Sequence, residues 1–385
     1  MLRHTERFES RDDTAEYRFA GTYSFARGIF TRPPVPGSSF RLGKVQRVRA
    51  GDFVYCKIMA WEGAFGLVPT DADNHVMSGA FVVYEPRLDK VVPAFLDWYF
   101  KVPHIWREIG SPSTGTNIRR RSLHPAQFEK SQIPLPPLPE QRRIVARIEE
   151  QADRITEASG MSAQASASAG AFMSAAIEGS LSLAARNPRT HEMSLDDACA
   201  LVTDGAHHTP VSLDAGVPLL MATNVCDDHL DTTNVRFISR ADHEVIHKRA
   251  PVEKGDVLFI NIGATTGTTT KVDTDLEFSI KNVALIKPDR EQLDADYLVF
   301  FLRSPTVKNM IAERQAQTCQ QFLSLRELRN LRFPVPILQE QRRIVTELDA
   351  LQAKVDELKR LQAETQAELD ALMPSILDRA FKGEL

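Results

Sequence analysis

At 385 residues, 43% apolar and 25% charged, the chain has the composition of a globular protein and length enough for two domains, each with its own core. It has no run of eighteen apolar residues, and Met-Leu-Arg-His-Thr-Glu-Arg at the N-terminus lacks a signal peptide's apolar core, so neither a membrane span nor a secretory leader is expected. Cys56, Cys199, Cys226 and Cys319 form no Cys-x-x-Cys pair, which argues against a structural zinc site and fits a reducing cytoplasm. The net charge of −4 argues weakly against a nucleic-acid partner, but it conceals a segregation of charge along the chain.

Residues 1–16 are polar. From Tyr17 to Ala50 there is no acid, while Arg18, Arg27, Arg32, Arg41, Lys44, Arg47 and Arg49 are all basic. Strand-like segments follow the Gly and Pro punctuation at Thr22–Phe25, Phe53–Ile58 and Ala80–Tyr84. Apolar spacing predicts a helix over 93–109, with Phe95, Leu96, Tyr99 and Phe100 on one face. A small-residue loop, Ser111–Asn117, then runs into Arg119, Arg120 and Arg121.

Next comes Ile133-Pro-Leu-Pro-Pro-Leu-Pro-Glu-Gln-Arg-Arg-Ile-Val145. Its prolines hold an extended strap, and Glu-Gln-Arg-Arg opens a long helix near Glu140. Ile144, Ile148, Ala152, Ile155, Phe172 and Ile177 are expected on its apolar face. Its middle, Glu157–Gly170, is almost all Ser, Ala and Gly, which suits either a flexible linker or a helix closely approached by another backbone.

The chain then repeats itself. Phe333–Val345 matches the first strap at nine of twelve positions counted from Pro134 and Pro334, at an offset of 200 residues. Gly255-Asp-Val-Leu-Phe-Ile parallels Gly51-Asp-Phe-Val-Tyr-Cys at an offset of 204. The loop Gln317–Phe322 falls where Gly115–Ile118 stands in the first copy. After the second strap, Leu348, Leu351, Val355 and Leu358 follow a heptad pattern that resumes at Leu369, Leu372 and Ile376. Acids gather in 213–231 and 340–385, and Arg326, Arg329 and Arg332 form a further basic cluster.

Four motifs invite catalytic or ligand readings. His243-Glu-Val-Ile-His247 has the zinc-protease spacing, but Lys248 and Arg249 would repel a dication and Pro251 ends the helix. Gly263–Lys271 lacks the Gly-Lys-Ser/Thr ending of a phosphate loop and reads as a hairpin loop, or as hydroxyls facing a phosphate backbone or base edges. Asp204-Gly-Ala-His-His-Thr-Pro210 reads as a turn with donors facing a ligand. The proline strap would suit an SH3 groove, yet its twin makes it structural. No nucleophile, carboxylate pair, Walker, methylase or nuclease motif stands out, so no catalytic residue and no metal ligand is assigned.

The doubled strap, the Gly-Asp strand in each copy, Asp204–Pro210 and the terminal Ala-Phe-Lys-Gly-Glu-Leu385 together resemble the specificity subunits of type I restriction–modification systems, over nearly the whole chain. The resemblance implies an α+β fold. Two mixed α/β target-recognition domains (1–137 and 186–337) would stand in a pseudo-twofold arrangement, joined by two long antiparallel helices (138–185 and 338–385). It implies a non-catalytic, cytoplasmic subunit that recognises a bipartite asymmetric double-stranded DNA sequence. Two modification subunits holding S-adenosylmethionine, and restriction subunits using ATP and Mg, would assemble on it, and the chain itself would carry no cofactor and touch no membrane.

Phosphate contacts are then expected from Arg27, Arg32, Arg41, Lys44, Arg47, Arg119, Arg120, Arg121 and Arg326, and base reading from Asn117, Gln317, Gln320 and Gln321. His207, His208, Thr209, Thr266 and Lys271 complete the expected DNA-binding set. An offset of 204 places Met1 opposite Gly205, so the first copy is expected to lack a counterpart to Met193–Asp204. The competing reading is a coiled-coil scaffold without DNA specificity; it leaves the acid-free segment and the divergent loops unexplained.

Overall fold

The computed structural model describes residues 1–111, 121–317 and 322–384. Two compact units emerge, one of residues 1–163 with 363–385, the other of residues 164–362. Each takes one part of a helix spanning Leu138–Ala185 and one part of a helix spanning Leu338–Lys382.

The first unit is built on a four-stranded antiparallel sheet in the order Leu2–Thr5, Phe81–Pro86, Phe53–Cys56, Phe65–Leu67. Phe53, Tyr55, Phe65 and Tyr84 are fully buried and meet Phe100 and Phe128 in one aromatic cluster. The expected helix over 93–109 is two helices, Pro93–Phe100 and Pro103–Gly110, because Pro103 cannot continue the first and starts the second. The expected strand at Thr22–Phe25 is instead the end of a strand Ala20–Thr22 and a turn in which Phe25 and Ala26 take positive φ. Ile144, Val145 and Ile148 from the start of one long helix pack with Leu377 and Ala380 from the end of the other. Those ends therefore run antiparallel, and Phe381 closes edge-on over Phe95 and Tyr99 at 5.3 and 5.1 Å.

The second unit repeats this plan. Its sheet runs Cys199–Asp204, Ala284–Pro288, Val257–Phe259, Thr269–Lys271, again antiparallel throughout. Helices Ala295–Leu302 and Pro305–Gln317 cover it. Met173, Ile177 and Leu181 pack in one core with Ile344, Leu348 and Val355. Strand Leu2–Thr5 pairs with Phe81–Pro86 as Cys199–Asp204 pairs with Ala284–Pro288. The expectation that 193–204 has no counterpart is therefore corrected for Cys199–Asp204, whose place in the first unit is taken by Leu2–Thr5. The 204 offset fails there because the second copy carries six more residues between this strand and its Gly-Asp pair: 52 from Thr203 to Gly255 against 46 from Thr5 to Gly51.

The small-residue stretch 157–170 is continuous helix, not a linker. A Cβ on Gly160 or Gly170 would meet nothing within 4 Å, so close approach does not explain those glycines. Three expected stripe residues are misplaced. Phe172, Leu358 and Leu372 are exposed, and buried positions nearby are Met173, Val355 and, beyond Pro374, Leu377.

The repeated motifs have repeated jobs. Gln141 and Gln341 are both fully buried. Gln141 Oε1 accepts from Val92 N at 2.8 Å while its Nε2 donates to Lys90 O (3.1 Å) and Pro136 O (2.7 Å). Gln341 does the same with Asp294 N (2.8 Å), Gln292 O (2.7 Å) and Pro336 O (2.6 Å). One amide thus ties strap, long helix and domain helix together. In the Gly-Asp pairs, Gly51 and Gly255 take φ of +87° and +89°, which only glycine adopts without strain. The following carboxylates accept from Arg49 N (2.7 Å) and Glu253 N (2.8 Å), and each meets a cation, Arg7 or Lys287.

Candidate nucleic-acid interface

In the second unit Asp204, Ala284, Phe259 and Thr269 stand side by side across the sheet. The loops that leave these positions therefore emerge along one rim. The loop after Asp204 crosses the backbone at Ile280 so tightly that a Cβ on Gly205 would lie 2.1 Å from Ile280 O. Gly205 N donates to Val283 O and Ala206 N to Ile280 O, both at 3.0 Å. This fixes His207, His208 and Thr209 at the surface, all three exposed. Asp204, buried beneath them, pairs with Arg249 and with His207 Nε2 at 2.8 Å. Lys281 donates to the Thr209 hydroxyl.

Beside this loop, residues 260–268 form a hairpin closed by Ile260 N to Thr268 O and Gly267 N to Ile260 O. Thr266 Oγ1 donates to Gly263 O at 2.7 Å, so this hydroxyl stiffens the turn. Ile262 bridges Phe322, and Leu323 N donates to Asn261 O at 2.9 Å. The chain leaving 318–321 therefore joins the same rim.

The first unit presents the equivalent rim. Leu123 N donates to Lys57 O at 2.9 Å, as Leu323 does to Asn261, which brings Arg121 to it. Phe25 N and Ala26 N donate to Glu62 O and Gly63 O, seating the turn that carries Arg27. Arg27 lies over the Tyr23 ring at 5.3 Å and Arg32 over Phe30 at 5.5 Å. Ile58 and Phe25 are exposed apolar groups there, 50% and 62% accessible.

Among the expected residues, the structure gathers Arg27 and Arg121 on one rim and His207, His208, Thr209 and Thr266 on the other. Lys44 and Arg47 belong to the three-stranded sheet of Phe8–Ser10, Lys44–Arg47 and Val76–Met77, and Arg41 is exposed in the loop that leads into it. There Arg47 pairs with Glu9 and donates to Asn74 O at 2.7 Å, so the segment that is acid-free in sequence meets acids in space. Lys271 does not reach the rim: it pairs across the strand with Val257, and its ammonium lies 2.6 Å from Asp296. Arg326 is exposed on the short helix Leu325–Arg329. Asn117, Arg119, Arg120, Gln320 and Gln321 lie outside the described residues, as does the side chain of Gln317, whose backbone ends a helix.

Lys57 and Lys281 escaped the sequence reading because isolated cations carry no local signal, and their rim placement follows only from strand register. Arg249 is read in sequence only as a charge that would repel a dication; the fold pairs it with Asp204. The zinc spacing is accounted for otherwise: His243 is buried, with Nδ1 2.9 Å from Ser279 Oγ and Nε2 3.1 Å from Glu277. No cluster of three or more His, Cys, Asp or Glu able to hold a metal occurs among the described residues. No described helix is long and apolar enough to cross a membrane.

Comparison with known proteins adds the family context. Residues 228–368 match the model of the type I restriction modification DNA specificity domain. The chain is 23% identical over 365 residues to the type I restriction enzyme EcoBI specificity subunit of Escherichia coli, covering 88% of this chain and 76% of that one. It is 25% identical over 325 residues to the EcoKI specificity subunit of E. coli K12, covering 78% and 67%. A solved chain from work on complex assembly and conformational transition of the type I R-M system superposes with a TM-score of 0.74 at 25% identity, covering 100% and 98%. The HsdS subunit of Thermoanaerobacter tengcongensis shares the fold, with a TM-score of 0.58 at 24% identity, covering 100% and 94%.

Proposed function

Taking the chain as a specificity subunit of a type I restriction–modification system, the component that supplies DNA sequence specificity and no catalysis, we propose that it reads a double-stranded sequence in two separated halves, one with each unit. One observation carries this reading. The same sheet, turn and loop rim is built twice, with different chemistry on the two rims: Arg27, Lys57, Ile58 and Arg121 on one, His207, His208, Thr209 and Thr266 on the other. Identical scaffolds with unlike tips suit two unlike half-sequences, because base edges are distinguished by the donors and acceptors presented to them. Cationic rim residues would neutralise phosphates and fix register.

The long helices would recruit two modification subunits, and these in turn restriction subunits. S-adenosylmethionine, ATP and Mg would reside on those partners, and the assembly would be cytoplasmic. The test is co-expression with a cognate modification subunit, followed by mapping of methylated adenines. A split motif with a fixed gap is expected. A single unsplit motif would refute two-half reading, and methylation independent of this chain would refute the function.

A further inference from the structure

One exposed apolar side chain is ordinary on any surface, but the turn at residues 23–28 is not ordinary. Phe25 and Ala26 both take positive φ, 62° and 52°, a region that residues with a Cβ enter at a steric cost. The fold holds them there. Phe25 N and Ala26 N donate to Glu62 O and Gly63 O, Tyr23 N donates to Gly28 O at 2.9 Å, and Ala26 is buried. Beneath the turn a Cβ on Gly63 would lie 2.7 Å from the buried Trp106 ring, so the floor is closely packed.

The strained turn holds the Phe25 ring outward. Most of the first unit's rings gather in its core, whereas Phe25 is 62% accessible and meets the edge of Trp106 at 6.3 Å. Tyr23, two residues before it, and Ile58, in the loop that supports it, are exposed as well. Trp61 Nε1 donates to Ile58 O at 3.1 Å and stiffens that loop. Cations flank this apolar tip. Arg27 lies over Tyr23 and donates to Ser24 O at 3.2 Å, and the bond from Leu123 N to Lys57 O brings Arg121 to the same loop. Glu62, the acid of the loop, accepts from the Ser24 hydroxyl at 3.0 Å. A rigid aromatic tip among cations complements a polymer that is anionic outside and apolar between its stacked bases.

We propose that Phe25 is a wedge that enters between two stacked base pairs in, or next to, the half-sequence read by the first unit. The inference rests on the two-half reading and adds to it a position chosen by deformability. The ring opens a base step, and pyrimidine–purine steps open most easily. The first unit therefore selects such a step without a hydrogen bond to it. Arg27 and Arg121 hold the flanking phosphates while the step is open.

The test uses the full chain assembled with its modification subunit. Methylation mapping first gives the split sequence for the unmodified chain; if none emerges, the two-half reading and this proposal fall together. A duplex of about 30 base pairs carrying that sequence then receives a dye at each end, so that energy transfer reports the bend. Two variants are compared. Phe25→Asn removes the ring but keeps the turn, because asparagine tolerates the left-handed region. Phe25→Trp keeps a ring. The unmodified complex should raise transfer above that of the free duplex. Phe25→Asn should return it towards the free value and weaken binding about tenfold, the worth of one aromatic ring stacked on a base, and Phe25→Trp should preserve both. In mapping, Phe25→Asn should lose a pyrimidine–purine preference in or beside one half and leave the other half unchanged. With a split sequence in hand, unchanged transfer and affinity in Phe25→Asn overturn the wedge alone. Failure of Phe25→Asn to assemble with the modification subunit would assign the ring to a protein contact and overturn it too.

Discussion

Replacing Gln341 by leucine keeps nearly the same volume but removes three hydrogen bonds at once. It strands the Asp294 N–H and the carbonyls of Gln292 and Pro336 around a side chain that is fully buried. Each buried orphan costs on the order of 1–3 kcal/mol, and with partial relaxation the three sum to about 4 kcal/mol. For a unit of this size that corresponds to a fall of about 10 °C in Tm. Arg343, two residues on in the same motif, makes exposed ion pairs with Glu340 (2.7 Å) and Glu347 (2.6 Å). Arg343→Ala should cost below about 1 kcal/mol. Differential scanning calorimetry is the assay, because two units need not unfold in one transition. Gln141→Leu should lower the transition of the first unit by a similar amount, its three bonds being the same. If Gln341→Leu shifts Tm no more than Arg343→Ala does, the Glu-Gln-Arg-Arg motif is not held for its amide and the reasoning fails.

Three further outcomes are expected. Arg27→Ala combined with Arg121→Ala should weaken binding to any duplex and reduce the slope of log K against log salt by about 2, near 0.9 per phosphate lost; an unchanged slope in a salt titration would remove these residues from the phosphate contacts. Gly205→Ala forces a Cβ to within 2.1 Å of Ile280 O and should destabilise the second unit by at least about 2 kcal/mol in urea melts, whereas Gly160→Ala, in open space, should be neutral or stabilising. Glu327 is held below its ordinary 4.5 by the Ser324 hydroxyl and N–H, with Arg314 nearby. Its contribution is thus complete above pH 4.5 and is lost as pH falls through the lowered value. Glu327→Gln should flatten the acid loss of stability below that pH, and an unchanged acid limb in pH-dependent melts would contradict the assignment.

The repeat, the straps and both long helices were legible because proline, capping and apolar period are local signals. What each repeated residue does was not. In sequence Glu-Gln-Arg-Arg marks only where a long helix opens; that Gln141 and Gln341 each bind three backbone groups shows only in the fold. The Gly-Asp pairs read as strand starts, and only the fold shows the carboxylate closing the turn and meeting Arg7 or Lys287. The ion pair of Arg47 escapes charge reasoning for a related reason: strand pairing sets Glu9 opposite Val45 and within reach of Arg47, and a window along the chain cannot see it. The rims themselves are a property of register, so Lys57 and Lys281 became visible only once strands were aligned. Phe172 and Leu372 show the limit of period counting on a long helix, where a shift of one position moves a side chain from core to solvent.

The first unit is completed by residues 363–385. Leu377, Ala380 and Phe381 close over Ile148, Phe95 and Tyr99, positions encoded more than two hundred residues earlier. On a ribosome, the part of the protein made first must therefore wait for the part made last. Until the final turns of the second long helix emerge, Phe95 and Tyr99 stand open to solvent, an aromatic surface of the kind that chaperones bind and that nucleates aggregation. A message broken near its 3′ end would yield a chain whose later-made unit can still close and whose earlier-made unit cannot.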